Sequence, residues 1–209
     1  MAVTDRIGEP ILYLARHAEV KRDKEGRMRG LLNDSLDEDG ERQAAELAEL
    51  FNDKYVAAGF TDDLDRTRQT LQPIAAAKDL HMGVDTELRS WDVGSDLEGR
   101  SIEANKDTIR MLKSQPDTIP VGGQSWRSYV EQTKRAFSHY WTMALESGPI
   151  LLVLHGSSIQ VIWEMLGAMA FSTAYDQTPL EPGGVASVYL AREGPRIKVL
   201  RGAKETADA

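Results

Sequence analysis

Two histidines directly follow apolar segments with the composition of buried strands. Residues 11–15 read Ile-Leu-Tyr-Leu-Ala and lead into Arg16-His17, and residues 150–154 read Ile-Leu-Leu-Val-Leu and lead into His155-Gly156. Ligands of open α/β sheets bind beyond the carboxyl ends of the strands, so both imidazoles are expected at one site. A neutral imidazole can attack a phosphoryl group and carry it as phosphohistidine, which points to phosphoryl transfer.

Cationic and backbone donors near these histidines would suit an anionic substrate. Arg16 precedes the first histidine, and Arg66 begins a helical pattern after a short apolar run. Arginine stays charged and offers a planar fork to phosphate oxygens. The backbone amides of Gly156 and Ser157 lie where the last helix is predicted to begin, and a helix N-terminus binds anions. A single histidine at a strand end is more often an ordinary packed residue, so the prediction depends on the combination.

Further motifs follow in order along the chain: Arg16-His17-Ala18-Glu19-Val20, then 26–30, 36–40 with Gln43-Ala44, 63–66 with Gln69-Thr70, 88–99, 122–125 and 154–156. Together they resemble the histidine phosphatase superfamily, the phosphoglycerate-mutase-like enzymes, over about residues 11–190. The resemblance implies that His17 is the phosphorylated nucleophile. It also implies a phosphate pocket formed by Arg16, Arg66 and His155. Arg27, in the loop segment 26–30, is expected to bind substrate.

The chain departs from the family at the residue that acts as general acid and base. Ser90 stands where the family has glutamate, and a serine hydroxyl does not titrate near neutral pH. Either another carboxylate replaces it or the acid step is weakened. If the segment is extended, Asp92 shares a face with Ser90 and is favoured over Glu87 as the catalytic acid. The alternative is that Asp92 only caps the loop before Gly94.

Smaller departures affect the surroundings of the predicted pocket. Asp23 stands where the family often has asparagine, and a carboxylate near phosphate must turn outward or pair with Arg22 or Arg27. Val20 replaces a hydroxyl residue, and Gln124 replaces a glutamate. These changes fit altered substrate choice and also fit a decayed enzyme.

Composition limits the possible classes of protein. The chain has 209 residues, 41% of them apolar, which predicts a single domain over 1–209. A net charge of −8 argues against a nucleic-acid partner. The absence of cysteine and of a long apolar segment predicts a cytoplasmic protein with no membrane partner. The histidines lack zinc-like spacing, and the acidic clusters 37–39 and 62–63 are interpreted as helix N-terminal charge, so no metal or cofactor is expected.

The periodicity of apolar residues alternates between strands and helices. Strands are predicted at 11–15, 55–60, 150–154 and 185–191, and helices at 38–51, 64–78, 102–113, 125–145 and 159–169. This order predicts a three-layer α/β/α sandwich with a mostly parallel central sheet. Residues 92–123 are expected to form a lid, where Trp91, Lys106, Arg110 and Lys113 could contact substrate, although charges at helical spacing usually form an outward face. Residues 201–209 are expected to form a polar tail.

The leading hypothesis is a metal-independent phosphomonoesterase that acts on a small phosphorylated substrate through phospho-His17. A phosphoglycerate mutase would use the same pocket but return the phosphoryl group to substrate. True mutases of the family are generally longer, with added segments that close over the site, which ranks that hypothesis lower. A non-catalytic phospho-ligand binder or interaction protein is the third hypothesis, for which the missing glutamate is the best argument.

Overall fold

The core of the molecule is a six-stranded mixed sheet. The computed structural model describes residues 6–173 and 178–203. The strands are Pro10–Arg16 (β1), Ala58–Thr61 (β2), Met82–Val84 (β3), Ile150–Leu154 (β4), Leu180–Ala191 (β5) and Gly194–Ala203 (β6). Their order is β3-β2-β4-β1-β5-β6. The first four in this order run parallel, whereas β5 pairs antiparallel with β1 and β6 pairs antiparallel with β5.

Both central strands alternate their side chains between two hydrophobic cores. In β1, Leu12 and Leu14 pack into one core, and Tyr13 and Ala15 pack into the other. β4 divides its residues in the same way. Because successive side chains of a strand point to opposite faces, a continuously apolar strand requires cover on both sides.

Helices supply that cover and complete the three layers. The helices are Lys21–Lys24 (α1), Glu38–Phe51 (α2), Asp65–Lys78 (α3), Lys106–Ser114 (α4), Trp126–Ser147 (α5) and Gly156–Met165 (α6). α5 and α6 pack on one face of the sheet, and α2 and α3 pack on the other. The architecture is the predicted α/β/α sandwich with a mostly parallel sheet. No helix in the described ranges combines the length and apolar character needed to cross a membrane.

A third apolar cluster lies outside the sandwich and belongs largely to the segment predicted as a lid. It joins Trp91, Val93 and Ile109 to Trp126 and Tyr129 of α5. The rings of Trp91 and Trp126 meet edge to face, with centroids 4.9 Å apart. The segment therefore packs over the start of α5, beside the carboxyl ends of β1 and β4.

Several element boundaries differ from the predictions. The second strand covers only 58–61, and Tyr55 is exposed. β3 was not predicted because three residues are too few to show periodicity, and β6 was not predicted because it mixes charged and apolar residues. The polar tail expected from residue 201 is corrected in part: residues 201–203 belong to β6, and 204–209 lie outside the described residues.

Candidate active site

The sheet register places the two strand-end histidines side by side. Arg16 of β1 is paired with Leu154 of β4, and the backbone N–H of His17 donates to the carbonyl of Leu154 at 2.9 Å. The imidazole centroids of His17 and His155 are 5.4 Å apart. Both side chains are buried, with exposures of 0% and 2%. Two residues that are distant in sequence thus form one site, since adjacent parallel strands end at the same edge.

The hydrogen bonds of His17 leave one ring nitrogen free. Nδ1 lies 2.8 Å from the carbonyl oxygen of Ala18, which can only accept, so this nitrogen carries the proton. Nε2 is buried and has no hydrogen-bond partner within the described residues. Burial, and then the positive charges of Arg29 and Arg66, hold the pKa of His17 well below its usual range. The imidazole is therefore neutral at neutral pH, with a lone pair available on Nε2.

Three buried arginines surround the histidine pair. Arg16 donates from Nη1 to the carbonyl of Leu180 at 2.9 Å. Arg66 donates from Nη2 to the carbonyl of Gly30 at 3.0 Å, and the same nitrogen lies 3.4 Å from Nδ1 of His155. Arg29 is the third, and all three charges lower the pKa of His17. This concentration of fixed positive charge beside a neutral imidazole suits an oxyanion such as a phosphoryl group.

Arg29, rather than Arg27, lies beside the two histidines. Arg27 lies on the exposed loop, where it donates from Nη1 to the carbonyl of Gly99 at 2.9 Å and pairs with Glu25. The structure does not bring it to the histidines. Both arginines lie in the same loop, and no spacing in the sequence distinguishes the inward residue from the outward one.

Asp23 faces inward and is paired, but not with the arginines expected from the sequence. It forms an ion pair with Arg29, and its Oδ1 lies 3.9 Å from Nη2 of Arg16. Arg22 instead binds Asp34, with 2.8 Å between its Nε and the carboxylate. The carboxylate of Asp23 therefore holds two pocket arginines in place, and their charges reduce its repulsion of a phosphoryl group.

Asp62 is a buried partner of His155 that the sequence reasoning assigned to helix N-terminal charge. Its Oδ2 lies 2.6 Å from Nε2 of His155, and its Oδ1 accepts from the backbone N–H of Leu64 and the hydroxyl of Thr67. The contact with Asp62 indicates that the proton of neutral His155 is on Nε2, which leaves Nδ1 facing Arg66. Burial lowers the pKa of His155 to about 4, against the opposing effect of Asp62.

Gly156 and Ser157 open α6 directly after His155 and line a narrow cavity. The cavity has a volume of about 20 Å³, room for little more than one water molecule. It is lined by Arg29, Ser90, Trp91, Lys113, Trp126, Gly156, Ser157 and Gln160.

Neither carboxylate considered as a replacement for glutamate at position 90 lines this cavity. Asp92 accepts at Oδ1 from the backbone N–H of Gly94 at 3.0 Å, the capping geometry considered as its alternative role. Residues 89–94 have no regular secondary structure, so the face-sharing of a strand is not available to favour Asp92. Glu87 pairs with Arg135 at 3.0 Å on the exposed side of α5. Ser90 itself lies in the cavity wall.

No group of three or more acidic or histidine side chains in the described ranges could hold a metal ion. The sequence prediction of no metal site remains a prediction. Positive charge at the site comes instead from guanidinium groups.

Comparison with known proteins defines the class. The family model described as histidine phosphatase superfamily (branch 1) matches residues 12–202, and the chain belongs to this family. Its members include phosphoglycerate-mutase-like enzymes that act on phosphate esters.

The names of individual relatives refer to two activities, phosphoglycerate mutase and phosphatase. A Klebsiella pneumoniae protein named "Probable phosphoglycerate mutase GpmB" is 30% identical over 167 residues, 77% of each chain. The fold matches a phosphoglycerate mutase from Thermus thermophilus, with TM-score 0.67 and 23% identity over 92% of this chain and 98% of that one. It also matches the mycobacterial glucosyl-3-phosphoglycerate phosphatase Rv2419c, with TM-score 0.71 and 22% identity over 93% and 98% of the two chains.

Proposed function

We propose that the protein is a metal-independent phosphomonoesterase that forms a phosphohistidine intermediate on His17. The observation that carries the proposal is the buried Nε2 of His17, which has no hydrogen-bond partner within the described residues and lies beside three arginines. A nucleophile must keep its lone pair free, whereas a histidine that only packs or binds through hydrogen bonds would have both ring nitrogens engaged.

The hydrogen bond between Nδ1 of His17 and the carbonyl of Ala18 supports both chemical steps. It directs the Nε2 lone pair at the phosphorus, and it stabilises the proton on Nδ1 when the phosphorylated ring becomes cationic. In the second step water attacks the phosphorus and the ring departs as neutral imidazole. Arg16, Arg66 and His155 would bind the phosphoryl oxygens, together with the amides of Gly156 and Ser157.

Phosphoglycerate mutase activity is the second candidate, because the Klebsiella relative carries that name. The first step is the same, and the two functions differ only in whether water or the substrate takes the phosphoryl group from phospho-His17.

The test is hydrolysis of para-nitrophenyl phosphate in the presence of EDTA by the wild-type protein and by His17→Ala. We expect turnover that survives chelation, is lost in the variant and passes through an acid-labile phosphoenzyme. The matched control is His139→Ala, because His139 lies on α5 away from the site. Interconversion of 3- and 2-phosphoglycerate without release of phosphate would favour the mutase. Turnover that persists in His17→Ala would refute the proposal.

A further inference from the structure

A chain of hydroxyl groups begins at Ser90 and Ser157 in the cavity wall and continues to Tyr129 and Ser158. Oγ of Ser90 lies 3.3 Å from Oγ of Ser157, which lies 2.9 Å from the hydroxyl of Tyr129. The Tyr129 hydroxyl also lies 2.8 Å from Oγ of Ser158. Burial raises the pKa of Tyr129 to about 12, so this phenol keeps its proton at neutral pH. These hydroxyls can form hydrogen bonds, but none is matched in acidity to protonating an alkoxide at neutral pH.

The nearby carboxylates are engaged by other groups. Asp23 is paired with Arg29 and Arg16. None of the described residues that line the cavity is aspartate or glutamate. Asp92 binds the backbone of Gly94, and Glu87 binds Arg135. Asp62 lies behind His155, where Thr67 and the backbone occupy its other oxygen.

Cationic groups line the same cavity. Lys113 is 3% exposed, and its Nζ lies 3.0 Å from Oε1 of Gln160 and 4.4 Å from the centre of the Trp126 ring. Arg29 lines the cavity as well. Positive charge in an enclosed site stabilises negative charge that develops during reaction, so this wall suits a group that leaves as an anion.

We propose that the substrates of this site are phosphoryl compounds whose leaving group is stable as an anion near neutral pH: acyl phosphates, phosphoric anhydrides, or esters of acidic phenols and enols. Simple alkyl phosphates are poor substrates. The inference rests on the proposed function of His17 and specifies its substrate class.

The bonds and charges balance without an acid from the protein. The Nε2 lone pair of His17 forms the N–P bond while the bond from phosphorus to the leaving oxygen breaks, and that oxygen keeps the electron pair. Water then attacks phosphorus, the N–P bond breaks, and the proton released by water remains on the inorganic phosphate. The overall reaction is hydrolysis to the leaving-group anion and dihydrogen phosphate.

The experiment measures kcat/KM for acetyl phosphate, para-nitrophenyl phosphate, phenyl phosphate and glycerol 3-phosphate. For the wild-type protein we expect a steep decline along this series, with glycerol 3-phosphate about 10²- to 10⁴-fold below para-nitrophenyl phosphate, the range that a general acid ordinarily supplies. Similar values for aryl and alkyl phosphates would overturn the proposal, since they would require an acid at the site.

Substitutions at position 90 provide a gain-of-function arm. Ser90→Glu is expected to raise glycerol 3-phosphate hydrolysis by at least about tenfold and to add an alkaline limb to its pH profile. Ser90→Gln, similar in size but unable to donate a carboxyl proton, is the matched control and is expected to show neither change. A folded Ser90→Glu protein without this gain would contradict the role assigned to the cavity wall.

Failure of the substrate-class inference can be distinguished from failure of the proposed function. The phosphoenzyme is trapped with para-nitrophenyl phosphate and assigned by His17→Ala. An acid-labile phosphoenzyme together with equal alkyl and aryl rates would refute only the substrate class. No phosphoenzyme, with turnover unchanged in His17→Ala, would refute both.

Discussion

Replacement of Asp62 by asparagine should weaken catalysis through His155. Asp62 is fully buried, and its hydrogen bond with Nε2 of His155 spans 2.6 Å. Hydrogen bonds to charged groups contribute about 1.5–3 kcal/mol. If His155 binds the phosphoryl group as a cation shared with Asp62, losing this charge should lower kcat/KM by about 10- to 100-fold, at about 1.4 kcal/mol per factor of ten.

The substitution should also shift the pH dependence of catalysis in a definite direction. The charge of Asp62 raises the pKa of His155, whereas burial and Arg66 lower it. Asp62→Asn should therefore lower this pKa, so that His155 loses its proton at lower pH in the substrate complex. Because His155 is neutral in the free enzyme, this ionisation belongs to the substrate complex, and the alkaline limb of kcat should move to lower pH. Loss of packing alone would reduce activity without moving that limb.

The assay measures kcat and kcat/KM for para-nitrophenyl phosphate against pH, with urea unfolding to confirm that the variant is folded. Asp63→Asn is the matched control. Asp63 forms a half-exposed ion pair with Arg89, which is worth at most about 1 kcal/mol and does not contact either histidine. An Asp62→Asn protein with wild-type kcat/KM and an unmoved alkaline limb of kcat would show that Asp62 does not act through His155.

Three further predictions concern stability and the pocket. Between pH 6.5 and about 4 the unfolded chain binds a proton at His155 that the folded chain does not. The free energy of unfolding should therefore fall by about 3 kcal/mol as pH falls through this range, as measured by urea titration. The same measurement on His155→Gln must show a smaller fall. Arg29→Met should raise KM for para-nitrophenyl phosphate by about tenfold or more, while Arg27→Met leaves it within twofold; equal effects would contradict their different placement. Gly40→Ala should destabilise the fold by about 1–3 kcal/mol, because an added Cβ would collide with the carbonyl of Glu19; an unchanged urea midpoint would contradict this packing.

Local sequence was sufficient to predict the central strands and helices, and to predict that the two histidines follow the carboxyl ends of strands. Ile150–Leu154 and Glu38–Phe51 have the predicted bounds, because a fully apolar run and a strong helical periodicity are properties of the segment itself. The family motifs then indicated His17, Arg16, Arg66 and His155, and the structure brings these four together at one sheet edge.

Long-range packing decided the remainder of the site. Arg27 and Arg29 are equivalent by residue type, and only the folded loop turns Arg29 inward against Asp23. In the sequence, Asp62 cannot be distinguished from an ordinary acidic residue at a helix N-terminus. The pairing of β2 with β4 brings it to His155, which is 93 residues further along the chain. Local sequence was enough to show which strands end in histidine. The protonated nitrogen of each imidazole, and the absence of a carboxylate from the described cavity wall, depend on contacts between distant segments that only the tertiary structure creates.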